Sequence, residues 1–482
     1  MQMPADMGPV HILGIGGIGM SAIAEILHTR GYTVQGSDQK EGANVRRLRA
    51  KGIRVFVGHD AVNLVGARYV VISSAVKPGN PELEAARAKG LPIIRRAEML
   101  AELMRLYATV SVTGTHGKTT TTSLIAHTFN AAGLDPTVIT GGIINEWGSN
   151  ARRGEGSWMI VEADESDGTF IKIPTQIGVV TNIDPEHLDY FESVENMHRA
   201  YEAFLRGIPF YGLAVACLDH PVVSRLIERL QLRRDGRRLL TYGTTPAADL
   251  VLKSVHAEGA ATIFDAQLGA RARGGQRSLT GWSIPLAGHH NALNALATIA
   301  AASEAGIADA TIRKALASFS GVKRRFQLTG TWNGVEIYDD YGHHPVEIAA
   351  VLRAARAGAR GRVVAVVEPH RYTRVRDLFH EFAASFGDAD SVIVGPLYTA
   401  GEAPIDGISH AALAEAIRAC GHKEVTAVDS EREIAPMLRL FVAPGDMVVC
   451  LGAGNSTEWA HALPEWLASG IASAPKRSGG AA

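Results

Sequence analysis

Short apolar runs alternate with amphipathic stretches along most of the chain. Runs at 10–15, 32–36 and 68–73 predict strands, and the stretches 18–30 and 42–51 between them carry apolar residues at helical spacing. A strand–helix–strand series of this kind implies a parallel sheet. The pattern restarts with a strand at 107–112, a glycine-containing bend and a helix over 123–132, and buried strands follow at 157–161 and 177–181. Between Asp249 and Pro285 short alternating runs with glycines predict a small antiparallel insertion, followed by a helix over 289–302. A third series opens with a hairpin around Asn333-Gly334. Strands at 363–367, 391–394 and 447–451 then alternate with helices at 375–386 and 410–419, and 473–482 reads as a small, polar, disordered tail. The expected fold class is α/β, in three units covering 1–107, 108–325 and 326–482.

Composition agrees with that division. At roughly 150 residues per domain, 482 residues suggest about three. The balance of 48 basic against 49 acidic residues supplies no global field for nucleic acid or an anionic membrane, so the expected partners are small molecules. Cys217, Cys420 and Cys450 each lie in an apolar run, which predicts buried thiols in a reducing compartment and argues against disulfides or zinc. The N-terminus has no cleavable apolar segment and no run nears the ~20 apolar residues of a membrane helix, so a cytoplasmic location is expected. Sequence leaves the oligomeric state open between monomer and homodimer.

The most specific chemistry is Gly114-Thr115-His116-Gly117-Lys118-Thr119-Thr120, where a strand turns into a helix. Amides at such a helix start point at an anion, Lys118 would reach terminal phosphates and Thr119 would offer its hydroxyl to Mg²⁺, so this is an expected ATP site. Val112 stands where a standard phosphate loop has glycine. An earlier turn, Gly14-Ile15-Gly16-Gly17-Ile18-Gly19, is followed about twenty residues on by Asp38, which taken alone suggests NAD. A sugar nucleotide fits it as well.

Other candidates cluster at the C-terminal ends of predicted strands, the edge where open α/β sheets bind ligands. Glu162-Ala163-Asp164-Glu165-Ser166-Asp167 crowds carboxylates that need a cation, and with Thr119 on one side and Glu162 and His187 on the other a Mg²⁺ ion is expected there. Asp164 or Glu165 individually read equally as solvated helix caps. His289-His290-Asn291 opens a helix on which Asn291 and Asn294 share a face, suited to an adenine edge, although helix capping explains Asn291 as well. Arg325 lies in a basic stretch at the junction of the second and third units, where Arg324 reads equally as linker. Tyr338 to Pro345 and Glu368 to Arg374 each follow a strand, and the second offers Arg371 and Arg374 three residues apart for a carboxylate or a transferring phosphate.

These motifs, in this order from His11 to about Leu467, resemble the Mur ligase family of peptidoglycan precursor synthesis. Ser73-Ser74-Ala75, Arg95 to Leu100, Asp339 to Pro345 and Gly452-Ala453-Gly454-Asn455 add to the match, while Ser456 to Trp459 looks less typical. The resemblance implies a Rossmann-like first domain binding UDP-N-acetylmuramate on Gly14, Gly16, Gly17, Ile18 and Gly19 with Asp38, Ser73 and Ser74. It implies a phosphate-loop central domain for ATP and a Rossmann-like last domain for L-alanine, with the NAD reading giving way. The implied reaction runs through an acyl phosphate and releases ADP and phosphate, at a cleft that closes over the intermediate. It places His343, Arg371 and Arg374 near the amino acid, and Arg325 and Asp340 near ATP. A sister member that attaches a whole tripeptide to the same sugar nucleotide, a non-catalytic nucleotide-binding relative and a dehydrogenase are the alternatives. Several members carry a carbamylated lysine that helps bind a second Mg²⁺. No lysine occurs here between Lys172 and Lys253, and the nearest position on the helix is Glu202, which is expected to supply the oxygen ligand instead.

Overall fold

The computed structural model describes residues 8–73, 76–166, 168–258 and 261–469, so Ser74 and the expected tail lie outside the described residues. The chain divides into two compact units. One comprises Met1–Ser254, Phe264–Trp282 and Leu293–Ser320, the other Val255–Ile263, Ser283–Ala292 and Gly321–Ala482.

In the first unit, strands β1 (Val10–Leu13), β2 (Val34–Asp38), β3 (Arg54–Val57), β4 (Tyr69–Ile72) and β5 (Ile93–Arg95) pair in the order β3-β2-β1-β4-β5. Every pairing is parallel. The order reverses at β1, so the crevice of the sheet opens where Gly14 to Gly19 leave that strand. Val10, Ile12 and Leu13 are fully buried, and so is the one polar residue of the strand, His11, as expected for a central strand covered on both faces.

A second, ten-stranded sheet comprises β6 (Ala108–Thr113), β7 (Thr137–Ile144), β8 (Ser149–Arg152), β9 (Trp158–Glu162), β10 (Ile177–Val180), β11 (Leu213–Cys217), β12 (Leu239–Gly243), β13 (Leu250–Glu258), β14 (Ala261–Leu268) and β15 (Arg277–Ile284). Its order is β15-β14-β13-β12-β11-β10-β6-β9-β7-β8. β6 lies parallel between β10 and β9, so the chain segments leaving these three strands emerge side by side. The insertion expected between Asp249 and Pro285 forms the three consecutive strands at one edge. One apolar core, including Ile23, Leu100, Met104, Met159, Tyr201 and Phe204, runs through both sheets of this unit.

The second unit is built on β16 (Gln327–Trp332), β17 (Val335–Asp340), β18 (Val363–Val367), β19 (Ser391–Val394), β20 (Val425–Ala427) and β21 (Met447–Leu451), in the order β16-β17-β21-β18-β19-β20. β16 and β17 form the expected hairpin, with Asn333 and Gly334 both at positive φ (46° and 77°) as a tight two-residue turn requires. The single helix expected over 375–386 is two, Tyr372–Asp377 and Phe379–Ala384, broken where Leu378 takes φ −121° and ψ 27°. Val375 and Phe382 stay buried on either side, so apolar spacing does not register the break. Cys217 and Cys450 are buried free thiols, but Cys420 is exposed at the end of the helix His410–Ala419, where the apolar face has run out. Among the described residues no helix is long and apolar enough to cross a membrane.

Candidate active site

The bend after β6 is fixed from the neighbouring strand end. Asn182, just past β10, accepts the His116 amide at 2.7 Å and donates to the His116 carbonyl at 2.9 Å, while the Thr181 hydroxyl donates to the same carbonyl at 2.7 Å. Gly114 sits at φ 132°, and a Cβ there would come within 2.1 Å of the Thr181 hydroxyl, so only glycine fits. Asp184 accepts from His220 at 3.2 Å and lies 3.3 Å from His116 Nε2. Against the upward push of burial, these two histidines hold its carboxyl well below the usual range.

The helix Lys118–Ala131 begins at the lysine itself, capped by Gly117 at φ 81°. The Lys118 ammonium donates to the carbonyls of Gly114 and Thr115 at 2.6 and 3.1 Å and to Glu165 Oε1 at 2.7 Å. Burial alone would lower its pKa, but Glu165, Asp164 and Glu162 outweigh burial and hold it above the ordinary lysine range. Lys118 is therefore a fixed positive charge at a helix start. Glu165 is not a solvated cap: it is 2% exposed, and burial pushes its carboxyl up to about 7 against the pull of Lys118. Asp164 is shifted the other way, because Lys118 and the Ser166 amide overcome its burial.

Thr119 and Glu162 are in direct contact. The threonine hydroxyl donates to Glu162 Oε1 at 2.9 Å, and Glu162 Oε2 accepts from Thr140 at 3.0 Å and the Gly141 amide at 2.5 Å. His187, at φ 55° beyond β10, is grouped instead with Glu165 and Glu186, with one ligand atom from each within 4.8 Å of the others. Glu165 Oε2 is buried without a hydrogen-bond partner. An oxygen-rich set with one imidazole and an orphaned carboxylate oxygen fits a hard divalent cation such as Mg²⁺.

Glu202 does not join this set. Its two oxygens accept from Arg206 and Arg229, each at 3.1 Å, on an outer face of the helix Val194–Gly207. One residue is 100° of helix turn, and the residue turned inward is Tyr201, fully buried, whose phenol is pushed well up first by burial and then by the charge of Glu165. Counting along the helix from His187 could not separate the two positions.

At the first glycine turn Gly14 takes φ 71° and Gly17 caps the helix Ile18–Thr29. Asp38 Oδ2 accepts the Gly16 amide at 2.9 Å, and Asn44 donates to the Gly16 carbonyl at 2.8 Å. Below the turn, Glu82 and His11 are both fully buried and 2.8 Å apart. Glu82 also accepts from Ser37 at 2.6 Å and Asn63 at 2.7 Å. A cavity of about 240 Å³ runs from Gly19 and Ile23 past Arg96 and Leu100 to Gly141, Glu162 and Asp164. It links the first turn to the acidic strand tip, with Arg96 Nη2 3.9 Å from Asp164. Ser73 lies at the end of β4, 3.8 Å from where a Gly14 Cβ would stand.

The helix His289–Glu304 separates its candidates. Asn294 is beside the phosphate loop: a Cβ at Gly117 would lie 3.0 Å from Asn294 Oδ1. Asn291 donates to the Ala287 carbonyl at 2.7 Å, anchoring the helix start. His290 is half-buried and pushed down to about 4, by desolvation and then by His289, Arg325 and Arg353, so it is neutral.

In the second unit Asp340 accepts the amides of Phe326 and Gly342 at 2.8 and 2.7 Å, so both its oxygens pin backbone. Burial raises it to about 6 despite Arg325. Arg324 and Arg325 lie over the Tyr341 ring at 4.8 and 5.4 Å, and Arg324, more than a linker, donates to the Gly452 carbonyl at 2.7 Å. His343 and Arg374 are brought together through His370. The His343 and His370 rings stack edge-on at 5.6 Å, and Arg374 bonds His370 Nδ1 at 3.1 Å. His370 is pushed down to about 3 by burial and then by His343, Arg374 and Arg371, and its ring stacks on Tyr398 at 5.3 Å. Arg371 follows directly, at φ 67°, with its Nε bonded to Glu402 at 2.6 Å. Sequence reasoning missed Glu402, Glu186 and Tyr398, which sit on loops or behind the motifs and carry no periodic signal.

A phosphate loop on one α/β sheet, a glycine turn on a second and a histidine–arginine cluster on a third are the parts of one enzyme family. The chain belongs to the Mur ligase family. Residues 9–108 match its description "Mur ligase family, catalytic domain", 112–302 "Mur ligase middle domain" and 324–454 "Mur ligase, glutamate ligase domain". It is 57% identical to a UDP-N-acetylmuramate–L-alanine ligase of Brucella anthropi, over 97% of this chain and 99% of the relative. Among solved structures it is similar to a UDP-N-acetylmuramate-alanine ligase of Thermotoga maritima, at TM-score 0.78 and 28% identity over 96% of this chain and 100% of that one. A murein peptide ligase of Psychrobacter arcticus shares the fold at TM-score 0.66 and 22% identity, over 97% and 99% of the two chains.

Proposed function

We propose that this enzyme joins L-alanine to the lactyl carboxylate of UDP-N-acetylmuramate at the expense of ATP, releasing ADP and phosphate, in cytoplasmic peptidoglycan precursor synthesis. The observation that carries the reading is Lys118, a half-buried ammonium amid Glu162, Asp164 and Glu165, on a chain 57% identical to a relative named for alanine ligation. A carboxylate oxygen of the sugar nucleotide attacks the γ-phosphorus in line, and the β–γ bridging oxygen leaves with ADP. The alanine amine then attacks the acyl carbon, and phosphate departs with its electron pair while the amine loses a proton.

The chain's own residues divide this work. All three Lys118 protons are engaged, two by loop carbonyls and one by Glu165, so nucleotide phosphate replaces at least one of these partners and meets a charge already in place. Gly114, Thr115, His116, Gly117 and Thr120 supply the backbone cradle, and Asn294 borders it. Thr119, Glu162, Glu165, Glu186 and His187 would hold Mg²⁺, which when bound neutralises charge on the phosphates. The cavity between the first turn and Glu162 takes the lactyl end of the sugar nucleotide. Arg371, Arg374 and His343 take the amino acid, and Arg325 contributes to ATP. We place the domain boundaries near 107 and 325. Phosphate release from ATP tests the reading: with UDP-N-acetylmuramate present it should depend on L-alanine and not on a tripeptide. Equal release with the tripeptide would overturn it.

A further inference from the structure

The Arg371 backbone, at φ 67° and ψ 130°, lies where non-glycine residues are rarely found. It is held there by its own amide bonding the Tyr398 carbonyl at 2.8 Å, while the Tyr398 amide bonds the Pro369 carbonyl at 2.8 Å. Glu402 then fixes the side chain and the residue two positions on. Its Oε1 accepts from Arg371 Nε at 2.6 Å and the Thr373 hydroxyl at 2.7 Å, and its Oε2 accepts the Thr373 amide at 3.0 Å. A guanidinium is flat, and its separate edges can each take a carboxylate. With Nε committed to Glu402, the edge carrying both terminal nitrogens remains for a second carboxylate.

We propose that Glu402 is a positioning residue for amino-acid capture, holding Arg371 by its Nε so that the two terminal nitrogens form a fixed fork for the carboxylate of the incoming amino acid. This rests on the reading that Arg371 binds L-alanine. The strained backbone supports it, because strain persists only where surrounding contacts over-determine it, and here they converge on one guanidinium. Burial acts to raise the Glu402 carboxyl, but the Thr373 amide and hydroxyl and then Arg371 hold it down at about 2, so it stays an acceptor throughout the working pH range.

A double-mutant cycle tests the coupling. Glu402→Gln keeps the size of the side chain but loses its charge. It should raise the KM for L-alanine about tenfold and leave the KM for ATP and for the sugar nucleotide within twofold. In an Arg371→Ala background the same change should add nothing to the alanine KM. An equal rise in both backgrounds, or a lowered melting temperature with unchanged alanine KM, would make Glu402 a loop anchor and overturn the proposal. If Arg371→Ala alone leaves the alanine KM unchanged, the reading beneath the proposal falls, and the proposal with it.

Discussion

The turn after β1 and the turn after β6 both carry the chain from a buried strand into a helix, yet a carboxylate closes the first and an ammonium the second. Asp38 takes the Gly16 amide at 2.9 Å, whereas Lys118 is bonded to the carbonyls of Gly114 and Thr115. Both helix starts offer the same backbone attraction for an anion. What differs is the net charge beside it. Asp38 already occupies an amide of the first turn and presents acceptors, which suits hydroxyl groups of a sugar nucleotide better than bare terminal phosphates. Lys118 presents positive charge, as the proposed phosphoryl transfer requires. A glycine fingerprint therefore fixes a turn shape, and the side chain seated in the turn decides the ligand.

The largest expected effect is at the second turn. Lys118→Ala should lower kcat more than a hundredfold, ~2.7 kcal/mol or more of barrier. Turnover within tenfold of wild type would dissolve the contrast between the turns. The side chain also neutralises buried acids, so the variant's melting temperature should fall as well, an effect that a purely catalytic lysine would not show.

Next in size is an acid effect beneath the first turn. Glu82 is lowered to about 2: burial pushes it up, but bonds from His11, Ser37 and Asn63 pull it further down. As pH falls the unfolded chain takes the proton first, so this stabilisation is whole above about 4.5 and is lost between there and about 2. It amounts to about 3 kcal/mol. Glu82→Gln should flatten acid unfolding of the first unit in that window, and an unchanged acid profile would show that the network does not anchor the β2 end carrying Asp38.

A smaller effect sharpens the contrast directly. Asp38→Ala should raise the KM for UDP-N-acetylmuramate about tenfold, ~1.4 kcal/mol, and leave that for ATP unchanged. If both constants move together, the two turns do not bind separate ligands. Smallest of all is Glu202→Gln, which removes two partly exposed ion pairs worth less than ~1 kcal/mol and should leave the Mg²⁺ titration of activity unchanged. A raised Mg²⁺ requirement would return Glu202 to the metal site.

What the sequence made legible follows from local physics. Continuous apolar runs such as 363–367, 391–394 and 447–451 are strands buried on both faces, and their bounds are observed as expected. The strand–turn–helix at Lys118 and the hairpin at Asn333 are equally local. Polar partners brought together by the sheet order are not. Glu165 sits 47 residues from Lys118 in sequence and Glu402 sits 31 from Arg371, so neither pairing has a spacing signature. The exchange of Glu202 for Tyr201 has a different cause, since one residue of uncertainty along a helix turns the chosen side chain from core to solvent.

The central claim is that the carboxylate of the sugar nucleotide attacks the γ-phosphate before the amine arrives. UDP-N-acetylmuramate labelled with ¹⁸O in both lactyl carboxylate oxygens, turned over with ATP and L-alanine, puts the order of bond making to a direct test. The acyl-phosphate route predicts that the released phosphate carries one ¹⁸O and the amide product retains the other, as read by ³¹P NMR and mass spectrometry. Unlabelled phosphate, from phosphoryl transfer to water or to the amine, would contradict it.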